Sequence, residues 1–461
     1  MRGWRRLSTL RRTQVGRFGA LVVSAAGLAV VVVAAILIAT RTSGDPVVDG
    51  ALVGGGGPYS HRVPAAGGIG APDGPSVLDL PKVPWAGGPA YYARFPVAAA
   101  AGWAGPKFFP IGVWFESVLH QDDVDLDKAA GLNTYVELTD DSNMALIRSN
   151  GMFAIPSRPL SDYGNETVAW LITDEPDMLY GPGSDPWTGQ EGWNTCIPIQ
   201  DERGSCGYSM MQTLSDRLPK DGRPRYANFG KGVLEWESDA EAEGFVNHYT
   251  DFTSADLYYY TEPNQPPEDR RASKYGALID RMRKLDAMDG NRQPIWAFIE
   301  VGHPFGENWT PTINGDQITG AVWSSLIHEA QGIVYFNHNF GGPCLSQHVL
   351  REECGTTIRP AVTEVNRRVT ELAPVLSTQS YQWTFHPALD TMLKEHDGSF
   401  YIFAMPGPGS RTGEYTLALP EGVRSTHAEV LYENRQVPTG PAGLTDSFDA
   451  EYQYHIYRIT P

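Results

Sequence analysis

Two stretches, Val168-Ala-Trp-Leu-Ile-Thr-Asp-Glu-Pro176 and Pro294-Ile-Trp-Ala-Phe-Ile-Glu-Val-Gly302, decide how this chain reads. Each is a short, almost wholly apolar run that ends in a glutamate. A strand with no polar alternation is buried on both faces, as in a parallel sheet covered by helices. A carboxylate at the C-terminal end of such a strand emerges on the face where α/β barrels keep their chemistry.

Outward from these two runs the same texture repeats. Strands are expected at Phe109–Phe115, Thr134–Leu138, Met152–Ile155, Val168–Thr173, Arg225–Phe229, Asp256–Tyr260, Pro294–Ile299 and Gly332–Phe336. Helical segments are expected between them at 122–130, 142–150, 208–218, 240–248, 274–288 and 315–331, with another at 358–376. Only twelve residues separate the third and fourth strands, so the third helix is rudimentary or missing. Eight strand–helix alternations call for a (β/α)₈ TIM barrel in the α/β class. A doubly wound open sheet is the alternative, and no Gly-x-Gly-x-x-Gly turn follows the first strand to support it. Beyond Ser377, short strand-like runs separated by turns such as Asp397-Gly398 read as a small C-terminal antiparallel β-sandwich domain. The expected division is 1–41, 42–75, 76–376 for the catalytic barrel and 377–461 for the β-sandwich.

The first 41 residues carry seven arginines and no acid, and the run from Phe18 to Thr40 is uncharged and mostly apolar. That run is long enough to span a bilayer, and the arginines before it place the N-terminus in the cytoplasm. The expected location is therefore the cell membrane, as a single-pass protein with extracellular C-terminal domains. Secretion after signal cleavage at Ala35–Ala39 is the alternative. Residues 42–75, with Gly54-Gly-Gly-Gly57, read as a flexible tether. The whole chain carries −18, and the part after residue 41 carries −25, which disfavours nucleic acid as a partner. Cys196 and Cys206 are ten residues apart, as are Cys344 and Cys354. In an oxidising compartment this spacing favours two local disulfides, and it does not match paired zinc ligands.

Two carboxylates on different strands of one barrel are the minimum equipment for breaking a glycosidic bond. Glu175 and Glu300 end the fourth and seventh strands and are the candidate catalytic pair; Glu116 and Glu137 are rivals. Candidate substrate contacts come from the other strand ends: Asp174, Trp114, Glu137, Asn228, Tyr258, Tyr260, His303, Asn337 and His338. Aromatic platforms with Asn, His and acids suit a sugar, which presents apolar faces and many hydroxyls. No metal site and no cofactor is expected. No Gly-x-Ser-x-Gly elbow is present for a serine nucleophile.

The arrangement of Glu175 and Glu300 resembles that of clan A glycoside hydrolases. The resemblance covers residues 108–376, and the tail resembles the β-sandwich appended to many of them, notably at Asp397-Gly-Ser-Phe-Tyr-Ile-Phe403 and Tyr454-His-Ile-Tyr-Arg458. It implies retention of configuration, with Glu175 as general acid/base and Glu300 as nucleophile. It also implies that one of Tyr258, Tyr259 and Tyr260 hydrogen-bonds Glu300. The clan usually has Asn before the acid/base, and this chain has Asp174. The function expected is hydrolysis of a carbohydrate in the cell envelope or outside it. A transglycosylase and a non-catalytic glycan-binding protein are the alternatives.

Overall fold

The computed structural model describes residues 77–192, 194–198, 204–306 and 309–461. The expected anchor (1–41) and tether (42–75) lie outside the described residues. Among those described, no helix is long and apolar enough to cross a membrane.

Eight strands form a parallel barrel: β1 (Ile111–Glu116), β2 (Thr134–Leu138), β3 (Phe153–Ile155), β4 (Trp170–Asp174), β5 (Arg225–Phe229), β6 (Phe252–Ala255), β7 (Ile295–Glu300) and β8 (Ile333–Phe336). They pair in the order β3-β2-β1-β8-β7-β6-β5-β4. The ring is completed between β3 and β4 by main-chain bonds, with Ala154 N on Glu166 O at 2.8 Å, Val168 N on Ala154 O at 3.0 Å and Leu171 N on Pro156 O at 3.0 Å. The chain is thus a closed barrel and not an open sheet. As the short third connection requires, no helix lies between β3 and β4.

Both faces of each strand are covered, which explains the unbroken apolar runs. Along β7, Trp296 and Phe298 pack into the barrel lumen with Trp114, Val136, Leu171, Tyr226, Phe252 and Val334. Ile295, Ala297 and Ile299 face the surrounding helices. Residues ahead of β1 close the N-terminal end of the lumen. Tyr92 and Trp103 pack there, Trp103 stacking on Trp296 at 5.8 Å, and the Tyr91 hydroxyl donates to Asp251 O at 2.5 Å. With the bottom sealed by aromatics, access to the barrel is from the C-terminal ends of the strands.

One strand is displaced from its expected position. The sixth strand is Phe252–Ala255, four residues before the run Asp256–Tyr260. The tyrosines favour a strand by propensity, but the small residues Thr253 and Ser254 fit the crowded barrel wall. Thr253 Oγ1 donates to Ala227 O at 2.7 Å, and Ser254 Oγ donates to Asn228 Oδ1 at 2.6 Å. Asp256 therefore stands at the mouth of the barrel, and the tyrosines belong to the loop that follows.

The C-terminal domain holds seven antiparallel strands: β9 (Leu389–His396), β10 (Ser399–Pro406), β11 (Gly413–Leu417), β12 (His427–Val430), β13 (Arg435–Gly440), β14 (Gly443–Phe448) and β15 (His455–Ile459). They join in one curved sheet, β11-β14-β13-β12-β15-β10-β9, around a core that includes Leu393, Ile402, Leu444, Phe448 and Tyr457. β13 and β14 form a hairpin that turns between Gly440 and Gly443. The sheet docks on the barrel helices. Trp323, on the helix Gly315–Ile327, stacks with Phe403 at 5.8 Å and Tyr454 at 5.0 Å.

Candidate active site

The C-terminal end of β4 is built to turn a side chain out of the wall. Asp174 pairs with Asn228 of β5 across a register shift, and Glu175 then adopts a left-handed backbone, φ 42° and ψ 47°, before Pro176 opens the helix Pro176–Leu179. A non-glycine residue in that region costs of order 1–3 kcal/mol, and such strain clusters at functional sites. Phe115 and Glu137, at the ends of β1 and β2, share the left-handed conformation. Next to Glu175 the chain needs a glycine. A Cβ on Gly230 would stand 2.6 Å from Met178 Cγ and 2.9 Å from Glu175 Oε1. Asp177 fixes this corner, accepting from Gly230 N at 3.0 Å and Val233 N at 2.7 Å.

Three titratable carboxyls converge where β4, β5 and β6 end. Asn228 Nδ2 donates to Asp174 Oδ1 at 3.0 Å and to Asp256 Oδ1 at 2.7 Å. Two acceptors on the two hydrogens of one planar amide are roughly 5 Å apart. The Asn228 oxygen is held in turn by Ser254, so the bridging amide cannot flip without losing both carboxylates. Tyr258 hydrogen-bonds Asp256. Glu175 is pushed well above the usual carboxylate range, first by burial, then by the charges of Asp256, Asp174 and Asp177. Asp174 moves up as well, by burial of its carboxyl first and the charge of Asp256 second, against the hydrogen bond from Asn228. Asp256 rises to about 6 by burial, restrained by the hydrogen bonds of Tyr258 and Asn228, which favour its charged form. Burial and the neighbouring charges thus disfavour the ionised form of Glu175, while the bonds from Asn228 and Tyr258 favour that of Asp256. Glu137 also acts on Asp174; burial raises its own carboxyl to about 7, against bonds from Ser157 N at 3.0 Å and Ser157 Oγ at 3.1 Å.

An aromatic floor adjoins these acids. Tyr258 contacts Phe305 at 6.2 Å and Phe336 at 5.2 Å, and Phe336 contacts His338 at 4.9 Å and Phe340 at 6.1 Å. Tyr258, Phe305, Phe336 and Phe340 are each half-buried, leaving apolar ring surface at the mouth.

Glu300 has different surroundings. It is 0% exposed, and both oxygens accept from the Tyr275 hydroxyl, at 2.7 and 2.8 Å; Thr261 Oγ1 lies 3.3 Å from Oε1. Burial raises its carboxyl to about 7. The tyrosine that holds it comes from the helix Ser273–Asp286 and not from the run Tyr258–Tyr260. Tyr260 instead donates to Glu451 of the C-terminal domain at 2.6 Å.

The remaining candidates are engaged in structure. Trp114 lies in the lumen against Phe298 at 5.4 Å. His303 has both ring nitrogens on its own loop, at Phe305 O (2.8 Å) and Thr310 O (3.1 Å). Asn337 donates to the buried Glu116 and accepts from Leu350 N at 2.8 Å, and Arg351 pairs with Glu116. His338 contacts Phe115 O at 3.2 Å, and burial holds its imidazole down, at about 4. The structure therefore brings together Asp174, Glu175, Asn228 and Tyr258, with Glu137 nearby. It adds Asp256, which the misplaced sixth strand had concealed. Both expected disulfides are formed, Cys196–Cys206 after β4 and Cys344–Cys354 after β8, with Cα atoms 5.4 and 5.8 Å apart.

No family model and no curated protein matches this chain. Solved structures do. The chain is similar to the glycoside hydrolase family 30 subfamily 8 xylanase of Clostridium acetobutylicum, at 13% identity over 76% of this chain and 96% of that chain, TM-score 0.42. It is similar to the alpha-amylase of Geobacillus thermoleovorans, at 10% identity over 76% and 98%, TM-score 0.42. It is also similar to a GH27 β-L-arabinopyranosidase from Geobacillus stearothermophilus, at 9% identity over 79% and 98%, TM-score 0.45.

Proposed function

We propose that this protein is a retaining glycoside hydrolase in which Glu175 is the general acid/base. The observation that carries the reading is the cluster of Asp174, Glu175 and Asp256 on the open end of the barrel, where the Asn228 amide joins Asp174 to Asp256 and burial holds Glu175 above the usual carboxylate range. Glycoside hydrolysis needs a protonated acid for the leaving oxygen and a charged carboxylate for the anomeric carbon, and crowded carboxyls favour such a split by repelling one another's charge. The half-buried aromatic floor beside it suits the apolar face of a sugar ring.

Glu175 gives its proton to the leaving oxygen as the glycosidic bond breaks, and then takes one from water as the sugar is released. Glu300, at the end of β7, is the expected nucleophile; it is fully buried and accepts from Tyr275 and Thr261. The same carboxylates would serve a transglycosylase if an acceptor sugar outcompeted water. In keeping with the apolar run at 18–40, the enzyme works outside the cell, tethered to the membrane, on an envelope or extracellular glycan.

The test varies the leaving group. Full-length protein and Glu175→Gln are compared on a panel of aryl glycosides, gluco-, galacto-, xylo- and N-acetylglucosamino-, each with 2,4-dinitrophenol and with phenol. The variant is expected to lose about 100-fold or more on phenyl glycosides and far less on dinitrophenyl glycosides, which need no proton. Equal losses on both would remove Glu175 from the acid role.

A further inference from the structure

We propose that a recess at the N-terminal end of the barrel, opposite the acids, binds a small neutral polyol no larger than one sugar ring. The proposal stands apart from the glycosidase reading.

The recess forms where three parts of the chain meet. The segment ahead of β1 supplies Trp85, Trp103 and Phe108. The turn from the helix Gly315–Ile327 into β8 supplies Glu329 and Gln331, and β9 of the C-terminal domain supplies Lys394. Counting the part open to solvent, the recess holds about 500 Å³ of empty space, within the ~300–1,000 Å³ of ordinary small-molecule sites. Most of that space lies toward solvent, so what the recess encloses is small.

Its lining suits hydroxyls. Trp85 Nε1, Trp103 Nε1 and Gln331 Oε1 are buried and, among the described residues, have no hydrogen-bond partner. Leaving a buried donor or acceptor unpaired is costly, and native proteins seldom do it. Two donors and one acceptor on residues of a single recess are satisfied together by a molecule that both accepts and donates, as a hydroxyl does. The Trp85 indole is fixed against Gly88. That glycine has a left-handed backbone, φ 56°, and a Cβ there would stand 2.6 Å from Trp85 Cζ3. The aromatic rings of Trp85, Tyr92 and Phe108 suit a carbon skeleton.

Charge selects against ions. Lys394 is buried, donates to Thr378 O at 2.6 Å and has Glu329 Oε2 at 3.7 Å. Glu329 holds a left-handed backbone, φ 76°, just past the helix end, where glycine is the usual residue. An acid kept there against strain supplies the countercharge to Lys394. With that pair closed, an anion would face Glu329 and a cation would face Lys394. An uncharged ligand meets neither penalty.

The experiment uses the full-length protein and three probes of one size, glycerol, glycerate and serinol, which differ chiefly in charge. Erythritol and xylitol extend the neutral series. Binding is read on the ligand by saturation-transfer NMR, so general effects of polyols on stability do not enter. A neutral polyol is expected to saturate a single site, with glycerate and serinol weaker by about 10-fold. Trp85→Phe keeps an aromatic ring and removes the donor, and Gln331→Met keeps the length and removes the acceptor. Each is expected to weaken polyol binding by about 10-fold, and Glu175→Gln to leave it unchanged. The proposal is overturned by no saturable binding of any neutral polyol, by tighter binding of either ion, or by unchanged binding in both recess variants. Loss of binding in Glu175→Gln also overturns it, since the polyol would then belong to the acid cluster. A crystal structure of the unaltered protein with xylitol decides without any variant. Xylitol hydroxyls on Trp85 Nε1 and Gln331 Oε1 are expected; water alone at those atoms overturns the site.

Discussion

The Tyr275 hydroxyl spans both carboxylate oxygens of Glu300, at 2.7 and 2.8 Å, in a place with no solvent-accessible surface. A buried carboxyl held this way is dear to ionise and dearer without its donor. The folded-state value, about 7, is above the ordinary 4.5, so Glu300 contributes stability that is complete below the unfolded value and is lost as pH rises toward 7. Tyr275→Phe is therefore expected to cost about 1–3 kcal/mol at pH 8 and less at pH 5, where Glu300 is neutral. Urea unfolding at the two pH values checks this.

Glu175 carries the same sign. Burial and then Asp256 raise its carboxyl, so the penalty for placing it at the rim grows as pH rises above the unfolded value. Glu175→Gln is expected to raise the melting temperature by about 2–4 °C at pH 8 and to leave it unchanged at pH 4, even as activity falls. Thermal melts across pH read this out directly.

Trp323 is fully buried between Phe403 and Tyr454. Trp323→Ala is expected to cost about 3–5 kcal/mol, the range for removing a large aromatic from a core. Since one hydrophobic cluster runs from the barrel into Met392, Phe403, Met405 and Ile456, calorimetry should show one transition for the parent. The variant should separate the barrel from the sheet.

Cys196–Cys206 closes a loop that leaves the rim just after Glu175. Replacing both cysteines by serine is expected to lower stability by about 3 kcal/mol, chiefly by releasing the unfolded chain. Denaturant midpoints of parent and variant, both unreduced, measure it.

Much of this was legible in the chain because barrel strands are buried on both faces and leave continuous apolar runs. Thr134–Leu138 and Arg225–Phe229 fall on the observed bounds. β6 escaped because its wall residues, Thr253 and Ser254, are small and polar, and their fitness shows only against Ala227 and Asn228. Within the site, Asp174, Glu175 and Asn228 were visible as strand ends. Asp256 was hidden by the register of its strand, and the engagement of Tyr260 with Glu451 depends on a domain more than 180 residues further along.

The sequence by itself determined the eightfold alternation, the parallel sheet, the appended antiparallel domain and the cysteine pairs, since each is a matter of local pattern or spacing. Only the tertiary structure decided which carboxylates meet. Barrel closure brings the ends of β4, β5 and β6 to one amide on Asn228, while it seals Glu300 under Tyr275. Charge and exposure at those positions are set by neighbours far off along the chain, and no local pattern encodes them.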